Sequence, residues 1–149
     1  MVIGIIGENC SGKSTLASVL SKRIKAEIIT GKDYLRLAKT ESEATTLFRE
    51  KLARAVNGDS ILYVISDPEH LSLLPDGAKR IYVKADLETI KERFRARMHG
   101  KLPPPVEAML ERRHGLFDGE QFDMIYDGAN DSPEAFCSGL FPDGPNYGG

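Results

Sequence analysis

Short apolar runs separated by amphipathic stretches set the rhythm of this 149-residue chain. Val2–Ile6, Ala26–Thr30, Ser60–Ile65, Arg80–Lys84 and Phe122–Tyr126 predict strands, because nearly unbroken β-branched and aromatic runs of that length suit a sheet covered on both faces. Between them the apolar spacing changes to three and four, the period of a helix. Leu16, Val19, Leu20 and Ile24 share one face of a helix from about Lys13 to Lys25. Leu47, Phe48, Leu52 and Val56 form the expected buried stripe of a second helix, reaching about Val56. Thr40 with Glu43 is a capping box at its start, and Asn57-Gly58 closes it. Asp67-Pro68 reads as a cap with proline at the first helical position. Leu87, Ile90, Phe94 and Met98 predict the inward face of a helix ending near Met98. The run from Gly100 to Pro105 breaks that helix, Val106 to His114 resumes it, and Ser132-Pro133-Glu134 opens a last short one.

Strands alternating with helices predict one three-layer α/β domain over residues 1–140, with a mainly parallel five-stranded sheet and helices on both faces. The Pro/Gly-rich stretch from Phe141 to Gly149 is expected to be loose. A formal net charge of −2 argues against a surface that coats nucleic acid. No apolar run approaches the roughly 20 residues that span a bilayer, and Met1 leads straight into the first strand, so no signal peptide is expected ahead of it. Two cysteines, Cys10 and Cys137, fit a reducing cytoplasm better than a disulfide framework.

The stretch joining the first strand to the first helix changes the picture. Gly7-Glu8-Asn9-Cys10-Ser11-Gly12-Lys13-Ser14-Thr15 matches the phosphate-cradling pattern G-x-x-x-x-G-K-[ST] at every fixed position, in the strand–loop–helix setting the pattern requires. The glycines let backbone N–H groups turn inward around a polyphosphate, and the helix amino end adds positive partial charge. Lys13 reaches the β/γ-phosphates and the Ser14 hydroxyl can ligate Mg²⁺, so ATP and Mg²⁺ are the expected cofactors. Cys10 is either a small residue at a tolerant loop position or a thiol whose modification blocks the loop.

Other residues admit two readings each. Arg93 and Arg97 are four apart and share one helix flank, whereas Arg95 points largely away. With Arg112 and Arg113 they either neutralise a moving phosphoryl group or form a solvated basic flank paired with Glu88 and Glu92. Asp67, at the end of the third strand, is either a Mg²⁺-shell acid or simply the helix cap. Asp33 and Arg36, after the second strand, either orient an acceptor or are ordinary surface charges. His70, His99 and His114 are scattered and receive no role.

On these residues the chain resembles the adenylate kinase-like branch of the P-loop nucleoside monophosphate kinases. Thr30-Gly31 followed by Leu35-Arg36 is similar to the stretch that holds the acceptor nucleotide there, with one extra residue. Glu92-Arg93 with Arg97 resembles the leading hinge of the lid. The resemblance implies that Arg93 lies against the donor nucleotide and Arg97 contacts its phosphates. Arg113, four before Phe117, resembles the catalytic arginine after the lid, a role Arg112 can also take. The chain departs where those kinases follow the third-strand acid with Gly-Phe-Pro-Arg, since Asp67 precedes Pro68-Glu69-His70. Acceptor arm and lid are both shortened. The expected activity is transfer of the ATP γ-phosphoryl group to a small acceptor. Lys13, Arg97 and Arg113 would stabilise the transferring group, Ser14 and Asp67 would serve Mg²⁺, and Thr30, Gly31, Asp33 and Arg36 would hold the acceptor. The alternative is a regulatory module that binds nucleotide with little turnover.

Overall fold

Alternate residues of the first strand point to opposite sides, and the whole core divides accordingly. The computed structural model describes residues 1–141; the expected loose tail lies, from residue 142 on, outside the described residues. Five strands, β1 (Val2–Ile6), β2 (Glu27–Thr30), β3 (Ile61–Ile65), β4 (Lys79–Lys84) and β5 (Met124–Asp127), form one sheet in the order β2-β3-β1-β4-β5. Every pairing is parallel, with Val2 opposite Ile61 and Ile81 opposite Met124. Helices α1 (Lys13–Ile24), α2 (Glu41–Ala55), α3 (Leu87–Arg97) and α4 (Pro104–Arg113) connect β1 to β2, β2 to β3 and β4 to β5, α5 (Pro133–Leu140) follows β5, and β3 reaches β4 without an α-helix.

Val2 and Ile6 join Phe48 and Leu52 of α2 on one face. Ile3 and Ile5 join Leu16 and Leu20 of α1 and Cys137 of α5 on the other. A third, smaller cluster sits where α3 and α4 fold over the phosphate-loop motif, with Cys10, Ala85, Ile90 and Leu110 buried together. Lys91 ties those two helices, bonding Glu111 at 2.7 Å and Glu107 at 3.1 Å, and these carboxylates raise its pKa.

The caps expected at Thr40 and Ser132 form, and Asp86 supplies one that was not expected. The Thr40 hydroxyl accepts from the Glu43 N–H at 3.1 Å, and Asp86 and Ser132 cap α3 and α5 in the same way. Asp67 caps through Glu69 N–H at 3.1 Å, but the segment it caps, Pro68–Leu73, is a 3-10 turn rather than an α-helix. Leu71, Leu73 and Leu74 are buried in the same cluster as the β1 and β3 side chains.

The edge strands β2 and β5 are not covered on both faces as expected, since Ile28 and Ile125 are exposed, and two residues expected on buried helix faces are exposed as well. Leu47 is 43% exposed. The buried stripe of α2 runs through Ala44, Phe48, Leu52 and Ala55, and Leu47 stands about 100° round the helix from Phe48. Met98 is 40% exposed because α3 ends at Arg97 and the chain turns away through left-handed His99 (φ 58) and Gly100 (φ 90).

Phe48 and Leu47 therefore give a stringent contrast. Phe48 is fully buried, stacked on Tyr34 at 5.0 Å and set edge-on to Tyr63 at 4.9 Å. Phe48→Ala should cost about 3–5 kcal/mol in a denaturant titration, and Leu47→Ala no more than about 0.5 kcal/mol. Equal costs would contradict this stripe.

Candidate functional site

The turn after β1 combines close backbone packing at Gly7 with left-handed conformations at Cys10 and Gly12. A Cβ on Gly7 would overlap the Val83 carbonyl oxygen and lie 2.7 Å from Ser11 Oγ. Gly12 adopts φ 113, and Cys10 is held at φ 65, a conformation non-glycine residues rarely take. Gly7 N–H donates to the Ile65 carbonyl at 3.1 Å, fixing the loop to the carboxyl end of β3.

Lys13 is the centre of this loop. Its side chain is buried and its Nζ donates to the Glu8 carbonyl at 2.7 Å. Burial lowers its pKa to about 8, partly opposed by Cys10 and Glu8, while Arg97 pushes in the same direction as burial. The ammonium is thus held over the loop, half ionised near pH 8.

Two adjoining cavities open on it. The smaller, about 130 Å³, is lined by Asn9, Lys13, Ser14, Thr30, Ser66 and Arg97 among others. The larger, about 340 Å³, runs from Gly12 and Thr15 past Arg93 to Tyr126, Gly128 and Asp131. Cys10, Gly12, Thr15 and Arg97 line both, so the two lie side by side. The first is lined by loop residues together with the cations Lys13 and Arg97, and the second is the roomier of the two.

No protein-family model matches the chain, and no curated protein matches it in sequence. Solved structures do. A sugar kinase from a Janibacter species superposes with a TM-score of 0.62 at 15% identity, over 95% of this chain and 92% of that one. Shikimate kinase from Aquifex aeolicus gives 0.57 at 18%, over 95% and 94%. The YorR protein of Bacillus subtilis, solved with phosphorylated GDP, gives 0.58 at 26%, over 95% and 94%. The chain has the P-loop kinase fold.

Within that fold the arginines divide their work. Arg93 donates to the carbonyls of Cys10 at 3.1 Å and Gly128 at 2.6 Å, stapling the phosphate loop to the turn after β5. Arg97 is exposed and stands in both cavities, whereas Arg95 is exposed and lines neither. Arg113 is half-buried and donates to the Ser66 carbonyl at 3.3 Å, at the rim of the phosphate cavity, while Arg112 is exposed. The Glu8 carboxylate lines neither cavity and points to the end of α4, and the Cys10 side chain packs into the third apolar cluster.

The four residues expected to hold an acceptor do not line one cavity. Thr30 lines the phosphate cavity, and Gly31 closes β2 by donating to Val64 and accepting from the Tyr63 hydroxyl at 2.8 Å. Asp33 and Arg36 instead line a separate cavity of about 220 Å³ along the outer edge of β2, with Glu27, Tyr34 and Lys51. Ser14 is exposed within the phosphate cavity. Asp67, next to Ser66, does not line that cavity and spends one oxygen on its cap.

Sequence reasoning missed Gly128 and His114. Gly128 comes directly after β5, and a Cβ there would overlap the Ser11 carbonyl oxygen, so backbone lies directly on backbone. The one local hint was an Asp-Gly pair after a predicted strand. Gly128→Ala should push the two loops apart, costing about 1–3 kcal/mol and weakening ATP binding. Gly119→Ala, with nothing within 4 Å of the new methyl group, should change neither melting nor binding. A Gly128→Ala protein that melts and binds like wild type would refute this contact.

Proposed function

We propose that this chain transfers the γ-phosphoryl group of ATP to a small acceptor. The observation that carries this reading is the pair of adjoining cavities, one walled by Lys13, Ser14, Thr30 and Arg97, the other by Thr15, Arg93 and Gly128. The larger would take the nucleoside, the smaller the phosphates. Lys13 would exchange the Glu8 carbonyl for the β/γ-phosphates, a stronger acceptor for an ammonium group. Arg97, with no side-chain partner to hold it among the described residues, would follow the phosphoryl group, and Arg113 would approach it from the Ser66 side. Such chemistry consists largely of positioning and charge neutralisation.

Mg²⁺ fits this set through the Ser14 hydroxyl, which faces the phosphate cavity, with Asp67 one residue beyond Ser66 as an outer-shell acid. Among the described residues no group of three or more acidic, His or Cys side chains makes a protein-only metal site, which suits an ion held mainly by phosphates and water. Bound there, Mg²⁺ would neutralise charge across the β- and γ-oxygens. The resemblance to sugar and shikimate kinases supports a hydroxylated small molecule as acceptor, approaching past Thr30 and Gly31. Asp33 and Arg36 would touch it only where it extends beyond β2. A reducing cytoplasm suits the two free, buried cysteines, and among the described residues no helix is long and apolar enough to cross a membrane.

The separation of Asp33 and Arg36 from the phosphate cavity favours the second reading, a module that binds nucleotide without passing the phosphoryl group on. Incubation with γ-labelled ATP and a panel of sugars, hydroxy acids, nucleosides and nucleotides separates the two. Label should appear on one acceptor class. Lys13→Ala and Arg97→Ala should each lower that transfer by at least about tenfold, roughly 1.4 kcal/mol, while Arg95→Ala leaves it within about twofold. Tight ATP binding with no labelled product would favour the module. Equal losses in Arg95→Ala and Arg97→Ala would reduce the basic flank to a solvated surface.

A further inference from the structure

We infer that Glu8 and His114 are a positioning pair that sets the catalytic arginine segment against the phosphate loop. This rests on the phosphotransferase reading. Glu8 is 8% exposed, although it lies in a loop built to surround anions. A buried carboxylate needs partners, and it takes both from the far end of α4. His114 Nδ1 lies 3.0 Å from Oε1, and Gly115 N–H donates to Oε2 at 2.8 Å. The backbone oxygen of the same residue accepts from Lys13 Nζ at 2.7 Å and from Ser11 N–H at 3.2 Å. One residue therefore holds the loop's ammonium with its carbonyl and the end of α4 with its side chain.

The residue just before His114 is Arg113, already turned to the Ser66 carbonyl at the cavity rim. The turn just after His114 keeps this segment in place. Gly115 has φ 79, which brings its N–H onto Glu8, and a Cβ there would lie 2.8 Å from Asp118 Oδ2. Asp118 in turn accepts from the Tyr82 hydroxyl of β4 at 2.8 Å. With Glu8 on one side and Tyr82 on the other, the segment 113–118 is anchored to the phosphate loop and to the strand beside it. His114 lines neither cavity, so its effect on reaction passes through Arg113, at the step where charge develops on the moving phosphoryl group.

Binding of ADP–Mg²⁺ alone, compared with ADP–Mg²⁺ plus aluminium fluoride as a mimic of the transferring phosphoryl group, tests this without knowledge of the acceptor. His114→Ala should weaken the aluminium fluoride complex about tenfold while ADP–Mg²⁺ affinity stays within about twofold. His114→Asn, whose side-chain amide places a donor where Nδ1 stands, should recover most of that loss. The proposal is overturned if the analogue binds His114→Ala as it binds wild type, if ADP–Mg²⁺ affinity falls in parallel, or if His114→Asn recovers nothing. If ADP–Mg²⁺ fails to bind the wild-type chain, the phosphotransferase reading falls and this inference with it. Normal ADP–Mg²⁺ binding with no dependence of the analogue on His114 removes the positioning pair alone.

Discussion

A buried ammonium group resting on a backbone carbonyl is the interaction around which this molecule is arranged. Taking a lysine out of water is costly, and Lys13 meets that cost with one short bond to the Glu8 oxygen and with a pKa brought down to about 8. A carbonyl is a weaker partner for an ammonium than a phosphate oxygen. The loop therefore holds its cation in a place it is ready to leave. Around it, Gly7 and Gly128 admit backbone atoms to distances that exclude any side chain, and Cys10 stays in a left-handed conformation that the neighbouring packing enforces.

That arrangement explains why two arginines from one helix turn behave differently. Arg93 spends its guanidinium on the Cys10 and Gly128 carbonyls, and so keeps the turns after β1 and β5 together. Arg97, one helical turn on, is exposed in the cavity that this clamp helps to shape. Structure and candidate chemistry are carried by adjacent positions on one face. The carboxyl edge of the parallel sheet gathers them because each loop there leaves a strand in the same direction.

Much of this was legible in the chain because the signals are local. The phosphate loop is nine consecutive residues, the caps at Thr40 and Ser132 act over three positions, and the strands are contiguous apolar runs. Errors arose where one residue's surroundings are set by distant packing. Leu47 looks like a stripe residue until the sheet fixes the rotation of α2, and Met98 looks helical until the left-handed pair after it turns the chain away. Glu8 and His114 lie 106 residues apart, with no periodicity to connect them. Asp33 and Arg36 come after the second strand as an acceptor-binding pair would, yet the 3-10 turn Asp33–Leu37 carries them to the outer edge of the sheet. Spacing along the chain could not report which side of an edge strand that turn would take.

If the Lys13 ammonium leaves the Glu8 carbonyl for the phosphates of a bound nucleotide, its lowered pKa must rise again. Calorimetric titration with ATP–Mg²⁺ at about pH 8, the pKa of the resting lysine, repeated in buffers of different ionisation enthalpy, measures it directly. The polyphosphate is already ionised at that pH, so the protein should take up a fraction of a proton per nucleotide bound as the lysine pKa rises. That uptake should vanish in Lys13→Met. Proton release, no exchange, or the same uptake in Lys13→Met would show that Lys13 does not pass to the nucleotide.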